Sequence, residues 1–228
     1  IAAIEDHPVP HPSGFWASSI VLETDGLDQS RRKSIRCINY RVVEPEEIRK
    51  TIHNAGIVGL GGAGFPSAVK LDTKGAPVET LIINGAECEP FITCDDMLMQ
   101  EKPLQIIAGV RILMHAVQAK ECIIAIENNK PLAISRLKQA LSSEVDEQIR
   151  LVQIPTVYPT GGEKQLIQVL TGKEVPHQQI PLSINILCMN IATTYAVYNA
   201  VRHGEPLISR YITVAGSVAK TRNLDALI

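Results

Sequence analysis

Segments with the patterns of strands and of helices alternate between residues 79 and 203, and this alternation restricts the possible folds more than any other feature of the chain. Apolar strands are predicted at 79–83, 122–126 and 149–154, and helices are predicted at 103–119, 131–141, 162–170 and 190–203. Strands that are separated by helices are joined by crossover connections and pair in parallel, with the helices packed on the sheet. We therefore expect an α/β fold built on a largely parallel sheet with helices on both faces.

The segments on either side of this region have a different character. Residues 1–44 begin with a stretch rich in proline, which interrupts helices, and they are predicted to form β structure and loops. Another alternating segment, 211–218, starts a new β unit near the end of the chain. The sequence thus predicts three parts: a β-rich segment at 1–44, a Rossmann-like α/β domain at 45–205 and the start of a further β domain at 206–228.

A stretch rich in glycine lies before the first strand of the alternating region. It contains Gly59, Gly61, Gly62 and Gly64, followed by Phe65 and Lys70. Glycine lets backbone N–H groups approach a ligand closely, and successive N–H groups at a turn can bind an anion. With a lysine for charge and a flat phenylalanine ring, the stretch is suited to a phosphate that is attached to a planar ring system. A flexible loop without a chemical role is the alternative interpretation.

The spacing Gly59-x-Gly61-x-x-Gly64 matches the dinucleotide-binding fingerprint, but its position in the chain does not. That fingerprint follows a strand and opens a helix, whereas this stretch follows a predicted helix at 45–55. A Walker A loop is excluded as well, since no Gly-Lys-Ser or Gly-Lys-Thr occurs in the sequence. The stretch therefore predicts a third kind of phosphate-binding loop.

Polar residues follow the ends of two predicted strands. The two groups are Asn84, Glu87 and Glu89 after the strand at 79–83, and Tyr158, Gly161 and Glu163 after the strand at 149–154. The amide can hydrogen-bond the edge of a heterocycle, and the carboxylates can accept hydrogen bonds from ribose hydroxyls or ring N–H groups. Because ligands bind at the carboxyl ends of parallel strands, both groups are candidates for a binding site. A polar loop and an ordinary helix N-terminus are the alternative interpretations.

The composition excludes several classes of function. The 228-residue chain has a formal net charge of -2 and only 4% aromatic residues, which argues against nucleic-acid binding. Its five cysteines include no Cys-x-x-Cys pair, so we expect no metal or iron–sulfur site within the chain, and their odd, scattered count indicates a reducing compartment. No apolar run is long enough to span a membrane. The chain starts without Met and stops within a β unit, so we expect a fragment of a longer protein.

Taken together, the motifs of this chain resemble those of a known flavoprotein family. They are Gly-Leu-Gly-Gly-Ala-Gly-Phe-Pro at 59–66, Asn-Gly-Ala-Glu-Cys-Glu-Pro at 84–90, Tyr-Pro-Thr-Gly-Gly-Glu at 158–163 and His-Pro-Val-Pro-His-Pro-Ser-Gly at 7–14. They are similar to the flavin-binding subunit of respiratory complex I, and more closely to the C subunit of the Rnf (Rsx) ion-translocating ferredoxin:NAD oxidoreductases. The resemblance covers nearly the whole chain. It implies that a sandwich-hybrid domain ends within 1–44 and that a β-grasp domain of the SLBB type begins at 206–228.

The resemblance implies which residues would hold the phosphate of FMN. The phosphate and ribityl chain would be wrapped by Gly59, Gly61, Gly62 and Gly64. Lys70 would lie nearby, and Asn190 and Thr193 would touch the phosphate. Leu60 stands where complex I has Arg, and Ala86 stands where it has Asp, and both residues fit the Rnf variant.

The resemblance also implies how the rings would be bound. Asn84 and Glu87 would face the flavin, Phe65 would pack near the nicotinamide, and Glu89 would reach the NADH side. The flavin and NADH pocket would be completed by Tyr158, Gly161 and Glu163. Hydride transfer between stacked rings depends mainly on their geometry, so we expect no catalytic acid or base.

The function implied by the resemblance is that of an NADH-dependent oxidoreductase subunit. The chain would be the electron-input domain that exchanges hydride between NADH and FMN, for onward transfer to two [4Fe–4S] clusters that lie only in the full-length protein. We therefore expect FMN and NAD(H) as cofactors, and no activity from this part alone. Its partners would be NADH and the other subunits of a membrane complex, on the cytoplasmic side of the bacterial inner membrane as a peripheral protein.

Two other functions are compatible with the sequence. The chain could be a non-catalytic docking or scaffold part of the same complex, with its β-rich ends at 1–44 and 211–228 serving partner contacts. It could also be a stand-alone nucleotide-binding enzyme. Uptake of FMN by the purified chain separates the first interpretation from the docking alternative.

Overall fold

A computed structural model describes residues 1–8, 14–27, 35, 37–142 and 147–227 of the chain. The strands are β1 (Ala3–Pro8), β2 (Trp16–Val21), β3 (Thr80–Gly85), β4 (Glu121–Glu127), β5 (Ile149–Ile154), β6 (Ile186–Asn190), β7 (Ser209–Val214) and β8 (Arg222–Leu227). The α-helices are α1 (Pro45–Asn54), α2 (Ser67–Lys70), α3 (Cys94–Glu101), α4 (Pro103–Val117), α5 (Pro131–Ser142), α6 (Glu163–Thr171) and α7 (Ile191–His203). The chain divides into two compact units, at 1–34 and 35–228.

The first unit contains the antiparallel pair β1 and β2, in which Ala3 lies opposite Val21 and Pro8 opposite Trp16. Most side chains of both strands are exposed. Of the proline-rich motif at 7–14, residues 9–13 lie outside the described residues.

The second unit is built around a four-stranded parallel sheet in the order β5-β4-β3-β6. The prediction of an α/β fold with a largely parallel sheet is confirmed. Side chains of β3, β4 and β6 are buried on both faces of the sheet, which explains why these strands are continuous apolar runs rather than alternating ones. Ile82 lies in the core on one face, and its neighbours Leu81 and Ile83 lie in the core on the other.

Helices cover both faces of the sheet, but unequally. Residues of α1, α3, α4, α5 and α7 share one core with β3 and β4, whereas Leu166 and Ile167 of α6 belong to the core on the opposite face. After β3, the chain adds β4 and then β5 on one side, and α6 leads back across the sheet to β6 on the other side of β3. The strand order therefore reverses between β3 and β6.

The helix ends follow from local residue choice. Asn190 caps α7 by accepting hydrogen bonds from the N–H groups of Ala192 and Thr193. Gly204 follows this helix at a φ of 65°, and a Cβ at this position would lie 2.3 Å from the carbonyl oxygen of Ile35. Gly172 ends α6 in the same left-handed conformation.

Near the site, the sequence predicted a β segment at 211–218, which corresponds to β7 (Ser209–Val214), and it missed β6, α3 and β8. The chain after 206 forms an antiparallel hairpin of β7 and β8. This hairpin packs against α3 through both of its strands. The polar ends of β3, β6 and α3 lie together, since Asn84 of β3 pairs with Asn190 of β6, and the side chain of Asn190 donates to Asp95 of α3.

Candidate functional site

A cavity of about 610 Å³ lies at the carboxyl ends of β3 and β6. It is lined by the glycine-rich loop (60–62), the end of β3 and the segment after it (Asn84, 86–89 and Ile92), the start of α3 (Cys94 and Asp95), the loop before α6 (Pro159, Gly161 and Gly162), the start of α7 (Asn190 and Ala192) and the strand β7 (210–213). In open α/β sheets, ligands bind in the crevice where the strand order reverses. The cavity occupies that crevice, and its volume is in the range of small-molecule sites.

The glycine-rich loop is held at its base and at Leu60. The N–H of Gly59 donates to the carbonyl oxygen of Phe65 at 2.8 Å, which closes the loop. The N–H of Leu60 donates to the hydroxyl of Thr193 at 2.9 Å, and the carbonyl oxygen of Leu60 accepts a hydrogen bond from Nη2 of Arg210 at 3.1 Å. The loop is thus fixed to α7 and to β7.

The tip of the loop carries a run of open backbone donors. Within the described part of the chain, the N–H groups of Gly61, Gly62, Ala63 and Gly64 donate to no partner. Gly62 and Gly64 have φ angles of 118° and 63°, which disfavour a side chain. A Cβ on Gly61 would lie 3.2 Å from the Cβ of Asn190, so this glycine also packs tightly against the cap of α7. Four open N–H groups beside a helix N-terminus fit a phosphate.

A second part of the cavity wall is held by the side chain of Asn84. Its Nδ2 donates to the carbonyl oxygen of Gly161 at 2.8 Å, and its Oδ1 accepts from the N–H of Ala86 at 3.0 Å. A Cβ on Gly161 would lie 2.8 Å from Sγ of Cys88 and 2.9 Å from the carbonyl oxygen of Ala86. Asn84 and Gly161 therefore bring the ends of two segments into direct contact and shape this wall.

Glu87 holds the start of α3 from outside the helix. Its carboxylate accepts from the N–H groups of Asp95 and Asp96 at 2.9 and 3.3 Å, and from Nζ of Lys130 at 3.3 Å. Nζ of Lys130 also lies 3.6 Å from the carboxylate of Glu127. The side chains are 4% (Glu87), 7% (Lys130) and 1% (Glu127) exposed, so they form a buried charge cluster, of which only Glu87 lines the cavity.

Asp95 places a second carboxyl group at the cavity wall. Its Oδ2 accepts a hydrogen bond from Nδ2 of Asn190 at 2.8 Å. Burial, with a further contribution from the charge of Glu87, raises the pKa of Asp95 to about 6, although the Asn190 hydrogen bond opposes this shift. Burial and the adjacent Asp95 charge raise the pKa of the neighbouring Cys94 to about 11, so Cys94 is a neutral thiol at pH 7.

The structure brings many of the residues singled out in the sequence to the cavity. Those that line it are Gly61, Gly62, Asn84, Glu87, Glu89, Gly161 and Asn190. Gly59 and Gly64 belong to the same loop, and the hydroxyl of Thr193 holds this loop by accepting a hydrogen bond from Leu60.

Four other residues singled out in the sequence lie beside the cavity wall rather than on it. Lys70 forms an ion pair with Glu163, and neither residue lines the cavity. Phe65 is 50% exposed and Tyr158 is 66% exposed, and neither is among the lining residues. Their assigned roles in ligand binding stay predictions.

Sequence reasoning missed Asp95 and Arg210. Asp95 could have been found, since Thr93 followed by Asp95 and Asp96 is a typical helix start, and acids in the first turn are favoured there. Arg210 carries no local signal, because it reaches the site only through the position of β7.

The fold and the cavity together have the features of a nucleotide-binding α/β protein. The model of the Nuo51 FMN-binding domain matches residues 52–199, which is more than half of the chain. The chain belongs to this family.

Curated relatives refine this assignment. The chain is 46% identical over 230 residues to the C subunit of the ion-translocating oxidoreductase complex of Pseudomonas aeruginosa, covering 100% of the chain and 29% of that protein. It is also 46% identical over 227 residues to the protein of the same name from Citrobacter koseri, covering 99% of the chain and 32% of the relative. The resemblance to the Rnf C subunit is thus confirmed, and the chain spans about 30% of the length of these relatives.

A solved structure supports the fold. The chain resembles a chain of an NAD⁺-reducing [NiFe]-hydrogenase in the H2-reduced state with a TM-score of 0.69 and 25% identity, over 81% of this chain and 37% of the other. A comparison with the air-oxidized state of such a hydrogenase gives a TM-score of 0.68. Among the helices of the described residues, none has the length and apolar character needed to cross a membrane.

Proposed function

We propose that this chain binds FMN in the cavity and receives hydride from NADH, as the electron-input domain of an Rnf-type membrane complex. The observation that carries the proposal is the run of four open N–H groups, Gly61 to Gly64, at the edge of a cavity in a chain of the Nuo51 FMN-binding family. Bound FMN would supply the ability to accept two electrons as hydride and release them one at a time.

The residues on the phosphate side would act as a rigid anion cradle. The open N–H groups of the loop would donate to the phosphate oxygens, and the positive end of the α7 dipole lies beside them. The side chain of Asn190 is already engaged with the helix cap and with Asp95, so it would position the cradle. Thr193 would position it as well, through Leu60.

The residues around Asn84 would orient the ring system. Asn84 fixes the segments of Ala86 and Gly161, and both lie at the cavity surface where a flat ring could pack against backbone. Glu89 is exposed at the same wall and is available to a second ligand. These groups bind and orient, and hydride transfer needs no proton donor from the protein.

The proposal extends to the setting of the chain. Electrons would continue to [4Fe–4S] clusters in the remaining part of the full-length protein, and other subunits of the complex would be the partners. The complex would hold the protein peripherally on the cytoplasmic side of the bacterial inner membrane. The names of the curated relatives and of the NAD⁺-reducing hydrogenase support this setting.

Titration of the purified chain with FMN tests the proposal directly. Flavin fluorescence should be quenched on binding, and NADH added under anaerobic conditions should then bleach the flavin absorption band. The variant Gly61→Val should abolish uptake, because its side chain would clash with Asn190 and displace the loop from the cap of α7. Circular dichroism would verify that the variant is folded. Failure of the wild-type chain to bind FMN would favour the docking function.

A further inference from the structure

The charges around the cavity are unbalanced for an anionic ligand. Among the described residues that line it, Glu87, Glu89 and Asp95 are acidic and Arg210 is the only basic residue. The charge of Glu87 is compensated by Lys130 behind the wall. A phosphate that enters this cavity therefore meets one available cation.

The guanidinium of Arg210 lies where the open donors of the loop begin. Its Nη2 donates to the carbonyl oxygen of Leu60, the residue directly before the four free N–H groups. A guanidinium carries five N–H donors in a planar fork that matches two oxygens of a phosphate. Arg210 forms no ion pair within 4 Å of a carboxylate in the part of the chain that the structure describes, and its charge acts on the carboxyl of Asp95 only at longer range.

Lys70, the other candidate cation, is placed differently. Its ammonium group is bound to the carboxylate of Glu163, and neither residue is among those that line the cavity. To reach a phosphate in the cavity it would have to leave this ion pair.

We infer that Arg210 is the residue that recognises the phosphate group and makes the site selective for FMN over riboflavin. This inference rests on the proposed function, since it concerns the same cavity. The side chain comes from the hairpin of β7 and β8, which lies outside the 52–199 segment that the family model matches. The hairpin would thus contribute a ligand-binding residue in addition to lining the cavity with β7.

The experiment measures the dissociation constants of FMN and riboflavin for the wild-type 228-residue chain and for Arg210→Gln, Arg210→Lys and Lys70→Gln. Arg222→Gln is the matched control, because Arg222 is an exposed arginine on the same hairpin that does not line the cavity. Fluorescence quenching at low and high salt gives each constant without any need for turnover. Thermal unfolding verifies that every variant is folded.

The wild-type chain should bind FMN at least about tenfold more tightly than riboflavin, since a charge-assisted contact to phosphate contributes on this scale. Arg210→Gln should lose about tenfold or more of its FMN affinity and keep its riboflavin affinity within about twofold. Added salt should reduce the FMN preference of the wild-type chain and should have little effect on the FMN:riboflavin ratio of Arg210→Gln. Arg210→Lys should retain part of the preference, because lysine supplies charge without the fork. Lys70→Gln and Arg222→Gln should retain it.

Other results would separate two failures. If the wild-type chain binds neither flavin, the proposed function itself is wrong. If it binds FMN but Arg210→Gln keeps the full preference for FMN, or if that variant loses both flavins equally, the assignment of Arg210 to the phosphate is wrong while FMN binding stands. Loss of the preference in Lys70→Gln alone would assign the phosphate to Lys70.

Discussion

Replacement of Lys130 by Met should destabilise the chain strongly, although Lys130 is outside the cavity. Its ammonium group is the only cation within ion-pair distance of Glu87 and Glu127 among the described residues, at 3.3 and 3.6 Å. Methionine preserves an unbranched apolar stem and removes the charge. Both carboxylates, which are 4% and 1% exposed, would then be buried without a counter-charge.

The size of the effect follows from this burial. Removing one partner from a buried ion pair costs about 3–5 kcal/mol, because an uncompensated charge is left behind. Glu87 would keep its two N–H donors from α3, whereas neither carboxylate oxygen of Glu127 has a hydrogen-bond partner among the described residues. For a chain of this length, the loss corresponds to a decrease in Tm of about 6 to 20 °C.

Urea unfolding at pH 7.5, followed by circular dichroism, measures the difference. Lys138→Met is the matched control, since Lys138 is an exposed lysine on α5, the helix that begins directly after Lys130, and its replacement should change the free energy of unfolding by less than about 0.5 kcal/mol. Glu127→Gln removes the carboxylate that lacks hydrogen bonds, and it should partly restore the stability of Lys130→Met when the two are combined. Equal stabilities of Lys130→Met and Lys138→Met would refute the buried-cluster reasoning.

Three further substitutions test the cavity walls. Because burial raises the pKa of Asp95 to about 6, the folded chain binds this proton more tightly than the unfolded chain, so the free energy of unfolding should fall as pH rises from about 4 to 6. Asp95→Asn should remove this fall and stabilise the chain at pH 7.5 by at most about 3 kcal/mol; identical urea midpoints at pH 4.5 and 7.5 in the wild-type chain would contradict it. Gly161→Ala should lower the free energy of unfolding in urea by about 1–3 kcal/mol, because its Cβ would overlap Cys88. An unchanged midpoint would mean that Cys88 and its neighbours move to accommodate the methyl group. Asn190→Ala should lower the free energy of unfolding by about 2 kcal/mol in the same assay, since it removes the cap of α7 and the partner of Asp95, and a loss below about 0.5 kcal/mol would argue against that cap.

The central part of the fold could be predicted from the sequence because its strands are buried on both faces. Runs such as 81–83 are apolar at every position instead of alternating with polar residues, and helices with clear apolar faces separate them. The strand β6 was missed because it is short and runs directly into α7, so its apolar residues merge with those of the helix. The order of the strands depends on packing across the sheet, which no local pattern records.

The site could be predicted only where its residues are adjacent in sequence. The loop at 59–64 and the segment at 84–89 each carry their own pattern, and the structure places them around one cavity. Asp95 is there because Glu87 fixes the start of α3, and Arg210 is there because a distant hairpin folds over the loop. Contacts of this kind depend on the tertiary fold, so spacing alone does not indicate them.

The anchoring of Leu60 has a consequence for how the chain folds. Its N–H is held by Thr193 and its carbonyl oxygen by Arg210, which lie 133 and 150 residues further along the chain. Contacts between such distant residues close large loops, and their entropic cost is offset only after the sheet has formed. The cradle should therefore be among the last regions to become ordered, and a ligand that needs it would bind the native state alone. In a refolding experiment, the appearance of flavin binding would mark the completion of folding rather than the formation of the sheet.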